Sequence, residues 1–293
     1  MSSAAPILSS SAARRAWLES RALKNFLHNK KGVVGLVIVG AYLFMALFAP
    51  LLAPFDPDAV DLFHVSAPPN LVHWFGVDQF GRDILSRIIY GARTSLLLGS
   101  VVVVIASCVG VILGSVAGYF EKTIDRVIVF FCDVLLTLPT IVIALAVVTI
   151  LGPGLSSTIV AIAVAGIPRL VRISRSAVIQ IRSLDYIRSA RALGARDFAI
   201  IVDHVVPNSL SPVIVQASLL MAEAVLLAAG LGFLGLGVQP PTAEWGQMLA
   251  EGRGYMLSAP FIAVFPGVAI IILVLGLNLF GDGLRDALDV RAN

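Results

Sequence analysis

Six apolar runs, at about residues 33–53, 95–118, 127–150, 155–171, 211–233 and 260–281, constrain this chain more than any other feature. A helix that crosses a bilayer needs roughly 20 mostly apolar residues at about 1.5 Å rise each, and each run reaches or approaches that length. The fourth is the shortest, bracketed by Pro153 and Pro168, so five spans is the fallback count. Of the 293 residues 58% are hydrophobic and only 13% charged, with mean hydropathy +0.94, whereas a soluble domain carries roughly a quarter charged residues. Gly and Pro fall inside the apolar stretches, as in membrane helices whose neighbours re-satisfy the freed backbone groups. The predicted fold class is therefore all-α: a polytopic membrane helix bundle of about six transmembrane helices.

Basic residues orient the bundle. With the amino terminus inside, seventeen of the 21 Lys and Arg lie on the cytoplasmic side, and the outside holds Arg82, Arg87, Arg93 and Arg253. The positive-inside rule selects this orientation. It divides the chain into a cytoplasmic tail (1–32), a first transmembrane helix (33–53), an extracytoplasmic loop (54–94), a membrane domain (95–284) with a long cytoplasmic segment at 172–210, and a cytoplasmic tail (285–293). A secretory signal peptide competes for the first run, which follows Arg14, Arg15, Arg21, Lys24, Lys30 and Lys31. That run exceeds a signal h-region of about 7–15 residues, and Pro54 follows Ala53 where cleavage would be sought, so we read a retained helix.

Ionisable residues inside spans are costly and mark function by default. Asp133, near the cytoplasmic end of the third run, and Glu223, near the middle of the fifth, are the two acidic candidates for lining a translocation path. Glu223 is open to three readings: lining an aqueous path, pairing with a partner subunit, or being held protonated by burial. In the outer loop, Ile84, Leu85, Ile88 and Ile89 fall on one helical face, which predicts a short interfacial helix. Arg82, Arg87 and Arg93 beside it are candidates for receiving cargo or a binding protein. Gly110, Gly114 and Gly118 recur every four residues and predict close helix packing, within the chain or against a partner. The run Gly230, Gly232, Gly235, Gly237 has the wrong spacing for a nucleotide fingerprint and reads as the end of a span.

Four scattered histidines make no metal site, Cys108 and Cys132 make no framework, and no catalytic constellation is present. No Gly precedes any of the four lysines, so the phosphate cradle of an ATPase is missing. ATP-driven work by this chain would need another subunit.

Within 172–210, Asp185 is a candidate helix cap and Gly194 fits the left-handed position that ends a helix. A short helix, a Gly corner and a second short helix from near Asp197 are expected. On spacing alone this is equally an ordinary basic loop. The arrangement resembles the coupling loop of ABC-transporter permeases, Glu-Ala-Ala-x-x-x-Gly with a His or Ile ten residues on and then a Pro. Gly194, His204 and Pro207 hold that spacing, and Arg188, Ser189 and Ala190 stand where the family has Glu-Ala-Ala. The first position departs, which a helix docking through small residues and a Gly corner tolerates.

Other stretches carry the resemblance along almost the whole chain. His73-Trp74-Phe75-Gly76-Val77-Asp78, Gly81-Arg82-Asp83, Gly91-Ala92-Arg93-Thr94-Ser95, Leu231-Gly232-Phe233-Leu234-Gly235-Leu236-Gly237, Glu244-Trp245-Gly246 and Asn278-Leu279-Phe280-Gly281-Asp282-Gly283 are similar to the dipeptide and oligopeptide permease subfamily. The resemblance implies a type I importer permease fold in a bacterial cytoplasmic membrane. It also implies a homologous second permease, two ATPase subunits that bind ATP and Mg, an extracytoplasmic solute-binding protein and a peptide substrate, with no cofactor in this chain and no nucleic acid. Glutathione or a nickel complex are alternative cargoes in the same subfamily. A secondary transporter working alone is the rival class, expected to show more paired intramembrane charges.

Overall fold

A computed structural model describes residues 23–288, so the tails at 1–22 and 289–293 lie outside the described residues. The fold is helical throughout; among the described residues the one extended pairing is an isolated bridge between Val77 and Asp83. Helix α1 (Lys30–Leu47) opens on Asn29, whose side chain accepts the Gly32 N–H, and a short α2 (Ala49–Leu52) follows it. Residues 53–83 are irregular and lead into α3 (Ile84–Phe120), capped by Asp83. Next come α4 (Lys122–Leu136), α5 (Thr140–Leu151) and α6 (Leu155–Arg182). A corner after α6 holds α7 (Asp185–Ala192) and α8 (Asp197–Ile200); a π-helical turn (Ile201–Val205) joins α8 to α9 (Val206–Phe233). Finally α10 (Trp245–Gly252) precedes α11 (Phe261–Leu288).

Among the described residues five helical stretches are long and apolar enough to cross a membrane, and a sixth arises if α4 and α5 count as one broken span. Several boundaries differ from the expected ones. The interfacial helix expected in the outer loop is instead the first turns of α3, which at 37 residues is roughly 55 Å long against a hydrocarbon core of about 30 Å. Its apolar face meets protein rather than lipid: Ile84, Ile88 and Ala92 are buried with Trp245, whose indole N–H reaches the Ile88 carbonyl at 3.0 Å. The third run is not one straight helix. Pro139 pushes Leu138 off the helical region, and α4 and α5 meet at a bend of 94°. Conversely, Pro168 does not end the fourth run, because α6 continues through it to Arg182. The segment expected at 172–210 thereby shortens to about 183–196, since Asp197–Phe233 is one continuous helical stretch. Asp185 stands one residue inside α7 rather than at its cap.

Small residues set the packing, as expected where lipid removes the hydrophobic drive between helices. The Gly110, Gly114 and Gly118 stripe of α3 lies on α6 of the same chain. A Cβ at Gly114 would stand 2.6 Å from Ser174 Cβ and from the Val171 carbonyl. At the opposite side α1 crosses α11 just as closely, where a Cβ at Gly35 would come 2.3 Å from the Phe280 nitrogen. Gly235, at φ +77, ends α9 and donates to the Gly232 carbonyl, while Leu236 donates to Leu231. That is the paired bonding that satisfies the last carbonyls of a helix.

Candidate functional site

Three charged or docked regions are built on this frame. The first is a row of ion pairs along α6. Arg169, Arg172 and Arg175 follow one another at three-residue spacing and so share a helix face. Arg169 Nη1 donates to Glu223 Oε2 on α9 at 2.5 Å, Arg172 pairs with Asp133 on α4, and Arg175 holds both carboxylate oxygens of Asp125 at 2.5 and 2.6 Å. Further along, Arg182 Nη2 lies 2.8 Å from Glu121 Oε1. Both acidic candidates are therefore paired within this chain, and their partners are half-exposed rather than sealed. A small cavity of about 20 Å³ at the α4–α5 break is lined by Glu223 and Arg169 together with Leu136 and Thr140, roughly the room one water needs. Arg169 falls in the last residues of the fourth apolar run at 155–171, and Arg172 and Arg175 fall in the segment 172–210 read as cytoplasmic, so sequence alone does not present the three as partners of intramembrane acids. Their three-residue spacing was the available signal.

The second region is the corner formed by α7 and α8. Gly194 has φ +85, and no heavy atom lies within 4 Å of where its Cβ would be. Its N–H donates to the Arg191 carbonyl at 3.0 Å and the Ala195 N–H to the Ala190 carbonyl at 3.1 Å, so the corner needs Gly for conformation, not for space. Below the corner Ile187, Ile200 and Val205 are buried with Tyr119 and Val178, at the ends of α3 and α6. The Tyr119 hydroxyl donates to Asp197 Oδ1 at 2.5 Å, Arg191 stacks over the Tyr119 ring at 5.1 Å, and Arg182 donates to the Tyr119 carbonyl. The outward side is exposed, with Leu193 at 88% and Phe198 at 78% accessible, beside exposed Arg188 and Ser189 and half-buried Ala190. His204 lies in the π turn, its ring edge-on to Tyr186 at 6.4 Å, and Pro207 stands directly after that turn, at the start of α9. Tyr119, Leu193 and Phe198 were not singled out from sequence; an aromatic or Leu in a basic loop gave little warning.

The third region is the outer cap. Arg82 Nε donates to Asp78 at 2.6 Å and its Nη2 to Glu251 at 2.7 Å, and all three are buried or nearly so. Arg87 is fully buried; Nη1 reaches the Pro57 carbonyl at 3.0 Å and Asp58 at 3.3 Å, while Nε and Nη2 have no hydrogen-bond partner. Asp83 accepts from Ser86 and lies 2.9 Å from His73 Nδ1. Glu244, buried, caps α10 through the Gly246 and Gln247 N–H groups, and burial pushes its carboxyl above the ordinary range against those two donors. Of the three outer arginines only Arg93 is exposed. Arg82 and Arg87 are not free to meet cargo, because the loop folds over them.

The chain is thus a multi-pass membrane protein whose α7–α8 corner is docked on the ends of α3 and α6. Residues 110–293 match the family model for the binding-protein-dependent transport system inner membrane component, and residues 17–69 match that for the N-terminal TM domain of oligopeptide transport permease C. The chain belongs to this family: it is a permease subunit of an ABC importer. It is 46% identical to the dipeptide transport system permease protein DppC of Alkalihalophilus pseudofirmus, over 94% of this chain and 90% of the relative. It is 44% identical to the probable D,D-dipeptide transport system permease protein DdpC of Escherichia coli, over 89% and 87%. Against the glutathione transport system permease protein GsiD of Pectobacterium atrosepticum the identity is 41%, over 98% and 95%. The fold is also that of a chain of the MetNI methionine ABC transporter solved in inward-facing conformations, with TM-score 0.57 at 20% identity over 70% of this chain and 97% of that one. Paired intramembrane charges, expected of a secondary transporter, are present here and do not separate the two classes. Family membership does.

Proposed function

We propose that this chain imports di- or oligopeptides as one of two homologous permeases, driven by two separate ATPase subunits that bind ATP and Mg and fed by an extracytoplasmic solute-binding protein. Both termini are cytoplasmic in this reading, supported by the Lys and Arg distribution. The observation that carries the mechanism is the docking of α7 and α8 onto Tyr119 and Val178. Motion of an ATPase against the exposed Leu193 and Phe198 would be transmitted through that buried contact to α3 and α6 as rigid elements. Arg188, Ser189, Ala190, Gly194, His204 and Pro207 form the coupling surface. The α6 row then offers the path a sequence of exchangeable ion pairs, in which the amino and carboxyl groups of a peptide can replace Arg169–Glu223 or Arg172–Asp133 contacts without leaving a charge unpaired. Of Arg82, Arg87 and Arg93, Arg93 is the one still accessible to a binding protein.

Uptake by the reconstituted complex tests this reading. Labelled dipeptides should accumulate only with ATP and binding protein present, and uptake that persists without the ATPases would overturn it. The glutathione relative motivates a second reading, in which glutathione rather than simple dipeptides competes best in the same assay.

A further inference from the structure

We propose that the chain holds an anionic phospholipid in a groove between its amino-terminal helical turn, α1 and α11. Residues 23–28 form a helical turn that folds back at Asn29, so that Phe26 is buried and meets Phe280 edge-on at 5.6 Å. The junction of the turn with α1 is fastened to α11: Asn29 donates to Asp286 at 2.7 Å, and Gly32 lies backbone to backbone on Gly283. Between them runs an open groove of about 410 Å³ walled by Leu23, Leu27, Leu36, Phe280 and Leu284. Its walls are almost wholly apolar, as an acyl chain requires.

The rim is basic. Lys24, Lys30, Lys31 and Arg285 are exposed around this end and make no ion pair among the described residues. Asp286 is engaged by Asn29, which leaves Asp282 as the one acidic side chain on α11 near the rim without such a partner. Four cations beside a membrane helix, over a preformed apolar slot, match a ligand with a negative head and a hydrocarbon tail. Lipid in general would coat this surface through the tail alone; the basic rim selects the head.

Native mass spectrometry of the assembled transporter in mild detergent tests this, with equal amounts of phosphatidylglycerol and phosphatidylcholine of identical chains. The wild type should retain phosphatidylglycerol preferentially, by about fivefold per engaged lysine. The Lys24→Gln/Lys30→Gln/Lys31→Gln variant should lose that preference. Because these lysines also orient the first span, Leu36→Trp, which fills the slot and leaves the charges, provides a separate reading: it should reduce retention of both lipids. Equal retention of the two lipids by the wild type, an unchanged preference in the lysine variant, or unchanged retention in Leu36→Trp would overturn the proposal.

Discussion

Substitution of Gly194 isolates what the cytoplasmic corner contributes. At φ +85 an L side chain costs roughly 1–2 kcal/mol, and because nothing lies within 4 Å of the Cβ position that strain is the whole penalty. It falls on the two bonds that close α7, from Gly194 to Arg191 and from Ala195 to Ala190, and it lowers the population of the closed corner by about 5- to 30-fold. The remainder of the bundle is untouched, so assembly and melting temperature should stay near wild type. In proteoliposomes containing the full transporter, the ratio of substrate accumulated to ATP hydrolysed should fall severalfold for Gly194→Ala and further for β-branched Gly194→Val. Gly194→Asn, which tolerates the left-handed region, should stay near wild type. A wild-type ratio for Gly194→Val would refute the reasoning. Equal losses for Asn and Ala would show that room, not conformation, limits the corner.

The paired charges make a second set of expectations. Glu223→Gln and Arg169→Gln should each reduce uptake with expression and assembly intact, and the exchanged pair Glu223→Arg/Arg169→Glu should recover part of it; equal uptake in all three, measured across several peptides, would remove the pair from the path. At the outer cap, Arg82→Met strands buried Asp78 and Glu251 and should destabilise by about 3–5 kcal/mol, read as a fall in the melting temperature of the complex. Arg87→Met leaves Asp78 paired with Arg82 and Asp58 half-exposed to water, and should be far milder; the reverse order would contradict the network described. Gly114→Leu places a side chain where even a Cβ sits 2.6 Å from Ser174, and should cost about 1–3 kcal/mol through overpacking, measurable as lost thermal stability while Gly40→Leu, which faces open space, should be neutral.

The number and order of spans were readable because roughly 20 apolar residues leave a chain few alternatives. Gly194 was readable because a left-handed helix end asks for Gly. Boundaries were harder. Hydropathy cannot tell a lipid-facing Ile88 from one buried under Trp245, so the outer turns of α3 looked like a separate surface helix. The bend at Pro139 escaped because both flanks are equally apolar. Along α6 the difficulty was electrostatic: three arginines end a hydropathy run by definition, and only their neighbours Asp125, Asp133 and Glu223, from two other helices, turn them into part of a span. Arg82 and Arg87 carried the same ambiguity, since a charged residue in a loop is read as solvated until its carboxylate partners are placed around it.

If this chain works only as part of an ATPase-driven assembly, mass spectrometry of what co-purifies with the tagged chain from its native membrane in mild detergent should recover a second, homologous permease together with ATPases that carry phosphate-binding loops. A chain that came out alone or as a homo-oligomer and still supported uptake would contradict that dependence.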